Sequence, residues 1–419
     1  MTSRKKPLSR RLVKVLIREP LRLIRKIILF LLFFYIVKKI ITRIKIRFFK
    51  SKFEKLKGGK KVIIRQSNFF SEDGKNFISG GGERYAIDLA KIIKSLGHTP
   101  ILVQKGTHNW QKQKNGLQII AVKEDVFYKI SDSSLFKKYP IILSNYPVPD
   151  NKINKKLNVL VLSHGIFWDG GKNSKYKASI LKKQYKSLKS IKSLISVDTN
   201  TINWIRATFP DIKQKVNMKY IPNYVDLKTF KPKNKKSENI RILFPRRASE
   251  ARGYWLVSQI IKPLMDKYKN LEFHFVGFVY KKEIQEDMDN WKNIYKDRIK
   301  TMVVASNKMH EVYNNADISI IPTTYSEGTS LSCLEAMACG NAVISTDVGG
   351  LPNLIFNNYN GLLIEPKAKN LMIALEKLII DKELRKTISK NALEVVKTFN
   401  KVRWKKEWKE VLEKFLKLK

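Results

Sequence analysis

Tyr325-Ser-Glu-Gly-Thr-Ser-Leu-Ser-Cys-Leu-Glu-Ala-Met-Ala-Cys-Gly340 follows a short apolar run, Ile318 to Ile321. An apolar run of strand length, then a glycine with small hydroxyl residues, then an apolar helical stretch is one unit of a parallel sheet covered by helices. Gly328 relaxes the backbone, and Thr329 and Ser330 can cap the helix that follows. The free amides at its start make an anion site at the end of the strand. Glu327 stands before this helix and Glu335 lies within it, between Leu334 and Ala336, on a segment otherwise lacking charge. A carboxylate in such company is costly unless a partner meets it. Paired hydroxyls of a ribose or hexose are suitable partners, since an ionised carboxylate accepts from both. A capping or ion-pair role would serve the two acids equally well at this point.

Outward from this unit the same alternation repeats. Strands are expected at Ile240 to Phe244, Leu271 to Val276, Ala342 to Ser345 and Leu362 to Ile364, giving an open parallel sheet with helices on both faces. Upstream, strands at Val62 to Ile64, Ile101 to Val103, Ile119 to Val122, Ile141 to Ser144, Leu157 to Leu162, Leu194 to Val197 and Tyr220 to Ile221 give a second such sheet. A helix from about Glu83 to Leu96 follows the first of these strands. The polar stretch Lys231 to Glu238 has no apolar periodicity and reads as a linker. The fold class is therefore α/β, with two Rossmann-like doubly wound domains facing a cleft, where open sheets place their ligands. The expected divisions are 1–57, a basic segment; 58–230, the first domain; 231–395, the second; and 396–419, an amphipathic helix docking on the body.

The chain has 419 residues and a formal charge of +47, a field that attracts nucleic acid, anionic lipid or phosphorylated ligands. No zinc-finger spacing, helix-turn-helix or basic strand with stacking aromatics is present, so no specific nucleic-acid partner is expected. Nineteen of the basic residues fall in residues 1–57, against only Glu19 and Glu54. Within them Ile27 to Val37 is apolar throughout. At about 1.5 Å per residue that run is well short of the roughly 30 Å hydrocarbon core. A helix lying on or dipping into the cytoplasmic leaflet, its basic stems reaching anionic headgroups, is the expectation. This puts the protein at the cytoplasmic face of a membrane, peripheral or monotopic, with an anionic surface as partner. Cys333 and Cys339 are the only cysteines and are expected as core residues. Asp287-x-Asp289, with no strand leading into it, is expected to be solvated surface.

Three further stretches bear on the cleft. Phe244-Pro-Arg-Arg-Ala-Ser-Glu-Ala-Arg-Gly253 closes the first strand of the second sheet and aims Arg247 and Arg252 at it. Arginine forks suit phosphate oxygens. Leu162-Ser-His-Gly165 puts His164 after a buried strand, and Gly80-Gly81-Gly82-Glu83 supplies a glycine-rich loop in the first domain.

Together these motifs resemble the retaining glycosyltransferases of family 4 (glycosyl transferases group 1), which have the GT-B fold. Glu327 and Glu335 match the family's Glu-x7-Glu signature. Arg247 to Gly253 matches its Gly-Arg-x4-Lys-Gly element, with Arg252 in place of Lys. Pro222-Asn-Tyr-Val-Asp226 matches its Pro-Asn-Gly-Val-Asp stretch. Arg246 and Tyr224 stand where glycine is usual. The resemblance covers residues 60–395 and not the first 57. It implies that Glu335 holds the ribose hydroxyls, Glu327 the donor sugar, and Arg247 and Arg252 the diphosphate. It also implies that the amides of Gly328, Thr329, Ser330 and Leu331 complete a phosphate cradle, that His164 contacts the donor sugar, and that Gly81 and Gly82 allow close backbone approach to the diphosphate. The implied reaction is transfer, with retention, of a sugar from a nucleotide diphosphate sugar to a hydroxyl of a saccharide or lipid-linked acceptor, with no metal and no cofactor beyond that co-substrate. A sugar-nucleotide epimerase of similar fold, or a non-enzymatic membrane-bound scaffold, is the alternative.

Overall fold

The computed structural model describes residues 19–78, 80–144, 153–166, 174–233, 239–325 and 327–417. A long helix, α1 (Glu19–Glu54), leads into an eight-stranded sheet. Its strands are β1 (Lys61–Arg65), β2 (Thr99–Lys105), β3 (Trp110–Lys114), β4 (Leu117–Val122), β5 (Ile141–Leu143), β6 (Val159–Ser163), β7 (Ser193–Ser196) and β8 (Asn217–Tyr220). Between them run α2 (Gly81–Ser95), α3 (Glu124–Lys129), α4 (Ser174–Leu188) and α5 (Thr199–Thr208). The order is β3-β4-β2-β1-β5-β6-β7-β8, parallel except where β3 meets β4.

Strand β6 is buried along its whole length because helices cover both faces of the sheet. Successive residues serve opposite cores. Ile63, Ile101 and Val161 pack on one side with Phe127, whereas Ile64, Leu102 and Leu162 pack on the other with Tyr85 and Leu89.

The second sheet contains β9 (Ile240–Phe244), β10 (Leu271–Val276), β11 (Ile299–Met302), β12 (Ile318–Ile321), β13 (Ala342–Thr346) and β14 (Leu362–Ile364), in the order β11-β10-β9-β12-β13-β14, all parallel. Its helices are α6 (Tyr254–Lys267), α7 (Lys282–Tyr295), α8 (Met309–Asn314), α9 (Leu331–Ala338), α10 (Ala368–Ile380) and α11 (Lys382–Val396). Both cysteines are buried against α9 and its neighbours, and burial pushes the Cys333 thiol up to about 12.

The last helix, α12 (Lys401–Lys417), returns to the first domain. Trp404, Trp408, Leu412 and Phe415 sink into the core beneath α2, and the Trp408 indole N–H donates to the Tyr85 hydroxyl at 2.7 Å. The outgoing and returning chains pair where they cross, Val225 N to Phe399 O at 2.9 Å and Lys401 N to Val225 O at 3.0 Å.

Three features depart from the sequence reading. Strands β3 and β11 were not anticipated. β3 is a half-exposed edge ribbon closed by Asn115 and Gly116, both at positive φ, as a two-residue hairpin turn requires. Asp287 is no solvated residue, because it knots α6 to α7. Its Oδ2 accepts from Tyr254 Oη at 2.7 Å, Ser258 Oγ at 2.6 Å and Trp291 Nε1 at 3.1 Å, while Asp289 stays exposed. The basic segment is not wholly separate either: Ile46, Phe49 and Phe53, on the last turns of α1, belong to the core of the first domain. From Leu21 to Ile44 the large apolar side chains of α1 are exposed. Residues 234–238 of the expected linker lie outside the described residues.

Candidate active site

The carboxyl ends of β1, β6, β9 and β12 open onto one cleft between the domains, with a volume of about 800 Å³. Gly81, Gly82, His164, Arg247, Arg252, Glu327, Gly328, Thr329, Ser330, Leu331 and Glu335 all line it. The sequence reading had named each of them.

Backbone meets backbone across the cleft floor. A methyl group on Gly165, at φ +112°, would stand 2.7 Å from the Gly328 nitrogen, and one on Gly328 would stand 2.6 Å from the His164 carbonyl oxygen. Only glycine at both positions permits that approach. Nearby, a methyl on Gly81 would lie 2.9 Å from Leu331 Cδ1, so the amino-terminal ends of α2 and α9 converge. Two helix amino-termini then face one space, and the amides of a helix's first turn favour an anion there.

Glu327 is held by three side chains in the cleft. Its Oε2 accepts from Arg246 Nη2 at 2.6 Å, Arg252 Nη1 at 2.5 Å and Thr323 Oγ1 at 3.0 Å. Burial alone would raise its pKa, but the Arg252 and Arg246 guanidinium groups outweigh that and hold the carboxyl below its ordinary value. The partner inside the shell is Arg246, with only 7% of its side chain exposed. Arg247, expected on the diphosphate beside Arg252, is exposed on the cleft wall with no ion pair among the described residues.

Glu335 is buried and doubly held. Arg84 reaches across from α2 to its Oε1 at 2.6 Å, and the Tyr313 hydroxyl donates to its Oε2 at 3.1 Å. The partner that so apolar a setting demanded is thus an arginine of the other domain. Ser330 caps α9 as expected, accepting from Cys333 N at 3.4 Å. Thr329 does not share that duty. Its hydroxyl donates to the Val197 carbonyl at 2.7 Å and accepts from Asn223 N at 2.8 Å, making it a strut between the domains.

His164 lies within hydrogen-bond distance of Ser144, Nε2 to Oγ at 3.2 Å, and meets the Tyr85 ring edge-on. Burial lowers its pKa to about 4, so the imidazole is neutral at physiological pH. Glu83, in the first turn of α2, lines the same cleft and was not singled out from sequence. Burial raises its carboxyl to about 7, against the opposing pull of its own amide and of Arg247 and Arg84. Gln66 Nε2 lies 3.5 Å from Glu83 Oε1, and Ser144 Oγ lies 3.4 Å from Gln66 Oε1. This chain links the acid to the histidine. Arg246, Arg84, Tyr313 and Glu83 are among the cleft residues that sequence reasoning did not assign.

Two doubly wound domains with this cleft define the GT-B architecture. The fold superposes on sucrose-phosphate synthase from Thermosynechococcus elongatus with a TM-score of 0.67 at 16% identity, covering 85% of this chain and 99% of that one. It superposes on Anabaena HepE in complex with UDP with a TM-score of 0.64 at 15% identity, covering 85% and 100%. The family model described as glycosyl transferases group 1 matches residues 226–395, the second domain. The family match thus covers the second domain alone, and together with the fold it supports a glycosyltransferase assignment. Over 351 residues it is 26% identical to one of the subunits of human phosphatidylinositol N-acetylglucosaminyltransferase, covering 76% of this chain and 70% of that protein. It is 30% identical over 172 residues to the lipopolysaccharide 1,2-N-acetylglucosaminetransferase of Salmonella typhimurium, a match spanning 39% of this chain and 44% of that protein.

Proposed function

We propose that the protein is a retaining glycosyltransferase that takes a sugar from a nucleotide diphosphate sugar and delivers it to a hydroxyl of a lipid-borne or saccharide acceptor at a membrane surface. The observation that carries this reading is the convergence of two helix amino-termini beside Glu327, itself clamped by Arg246 and Arg252. A diphosphate fits between the amides and the arginines, and Glu335 lies on α9 where the ribose would follow.

In the reaction the bond between the anomeric carbon and the leaving phosphate oxygen breaks while the acceptor oxygen bonds to that carbon on the same face. The acceptor proton passes to the departing phosphate oxygen. Arg252 and Arg247 neutralise the charge that develops there, so the chemistry needs positioning and charge stabilisation rather than a protein base. Positive charge from the arginines serves where a metal would otherwise be used. Glu327, kept ionised by its two arginines, accepts hydrogen bonds from the donor sugar, and neutral His164 offers its ring to the same sugar. The ion pair of Arg84 with Glu335 opens as the ribose arrives.

The exposed apolar and basic arm of α1 supports a membrane location, and the human relative's name supports a phospholipid-borne acceptor. No helix among the described residues is long and apolar enough to cross a membrane, so the arm would lie in the interface.

A thermal-shift screen of nucleotide sugars, followed by transfer assays on membrane extracts, tests the reading. Full transfer activity in both Glu327→Ala and Arg252→Ala would overturn it, and conversion of the donor without any acceptor would point to an epimerase. For the arm, a deletion ending at residue 44 spares Ile46, Phe49 and Phe53. If that variant still pellets with membranes, the anchor assignment is wrong.

A further inference from the structure

A second cavity, of about 470 Å³, lies where α1 crosses the β3–β4 edge of the first sheet. Phe48, Phe49 and Phe53 of α1 form one wall, and Trp110 and Ile120 of the hairpin form the other. Lys45, Lys52 and Lys123 also line it. Lys45 is paired with Asp125 at 3.0 Å; Lys52 and Lys123 are exposed and have no ion pair among the described residues.

The volume falls in the range of roughly 300–1,000 Å³ typical of small-molecule sites. An apolar slot ringed by cations suits an amphiphile with one long chain and an anionic head. Two features say where such a ligand would come from. The groove begins where the exposed arm of α1 ends, at Lys45, and that arm carries Leu, Ile and Phe side chains exposed from Leu21 to Ile44. Its other wall is tied to the cleft through one loop. The Trp110 indole N–H donates to the Glu72 carbonyl at 2.9 Å and its ring meets Phe70 at 5.8 Å, in the loop whose first residues, Ser67 and Asn68, line the cleft.

We infer that this groove binds one acyl chain of an acidic membrane lipid, with the headgroup on Lys52 and Lys123. The inference deepens the acceptor side of the proposed function and rests on the membrane location given there. The lipid held here need not be the acceptor; its effect is to fix the enzyme's orientation on the leaflet and to brace the loop at the cleft mouth.

The test uses the whole protein and no bilayer. A dibrominated stearate, titrated below its aggregation concentration, quenches a tryptophan only when the chain contacts it. The expected result is saturable quenching with one stearate per protein, and loss of that component in Trp110→Phe. Lys52→Ala and Lys123→Ala should each weaken binding about fivefold, as roughly expected for one lysine facing an anionic headgroup. Phe48→Ser should weaken it more than the lysine changes do, and Phe48 is 57% exposed, so the fold is spared. The same brominated chain on a phosphocholine head should bind more weakly.

Absent or unsaturable quenching, or equal response to both heads, overturns the assignment. If the protein dimerises and the groove rejects stearate, a second copy fills it and the inference is wrong. The deletion ending at residue 44 separates the two readings: lost pelleting with intact stearate binding supports the groove, and intact vesicle pelleting of the full chain without stearate binding refutes the groove while leaving the membrane reading standing.

Discussion

Replacing Glu83 by Gln should stabilise the protein by an amount that grows as pH rises from about 4.5 to about 7, and the size follows from the cleft. The carboxyl is pushed by burial from an ordinary 4.5 to about 7. Between those values the folded state holds a proton that the unfolded state has released, so stability falls as pH rises through this window. Below both values the acid is neutral in each state and costs nothing. Above pH 7 the fold carries a buried carboxylate, at a cost of about 3 kcal/mol by the conversion of roughly 1.4 kcal/mol per pKa unit. Gln keeps the shape and the hydrogen bond from Gln66 without that cost. Glu83→Gln is therefore expected to raise the midpoint of thermal unfolding by on the order of 10 °C at pH 8, at about 2–4 °C per kcal/mol for a domain of this size. At pH 5 the gain should shrink to under about 1 kcal/mol. The wild-type curve alone cannot show this. His164, lowered from 6.5 to about 4, gains stability as pH rises through nearly the same range and so offsets the loss. The assay is therefore the difference between variant and parent by scanning calorimetry at several pH values. A difference that stays flat from pH 5 to pH 8 would refute the argument.

Four further outcomes are expected. Glu327→Gln should lower kcat by on the order of 100-fold or more, as loss of a group that orients charge at the reaction centre does; a full kinetic profile with the cognate donor checks it. Glu335→Gln should raise the nucleotide Kd about tenfold or more, since hydrogen bonds to a charged group contribute roughly 1.5–3 kcal/mol, read by isothermal calorimetry with the free nucleotide. Trp408→Ala should cost about 3–5 kcal/mol, because a large buried ring is replaced by a cavity, and urea denaturation of the whole protein measures it. Extending the amino-terminal deletion from residue 44 to residue 53 removes three core side chains at about 1.5–3 kcal/mol each, so the unfolding midpoint should drop sharply only for the longer deletion.

Much of the site was legible because its chemistry is local. Glu327, Gly328, Ser330 and Glu335 lie within nine residues, and a strand, a glycine and an apolar helix fix where they point. The strands that sequence located, such as β1, β6 and β12, are buried on both faces and read as continuous apolar runs. β3, Trp-Gln-Lys-Gln-Lys, is an exposed edge whose polar residues give no alternation, and only Asn115-Gly116 marks it as a hairpin. The partners of the acids were less accessible. That Glu335 needed one followed from its apolar setting, but Arg84 lies 251 residues away in sequence and only the closure of the two domains brings it there. Arg246 was passed over for a subtler reason. It is adjacent to Arg247, and which of two neighbours turns inward depends on the path of the chain as it leaves β9, not on residue type.

The return of α12 to the first domain bears on how the molecule comes into being. Tyr85 and the space beneath α2 are closed by Trp404 and Trp408, which follow the whole second domain in the chain. The amino-terminal domain therefore cannot complete its core when its own strands have been made; it must wait, with an aromatic face open, until the whole second domain has been translated. Maturation of the two halves is interleaved rather than sequential, and a ribosome that stalls between residues 230 and 400 leaves a first domain lacking the helix that closes it.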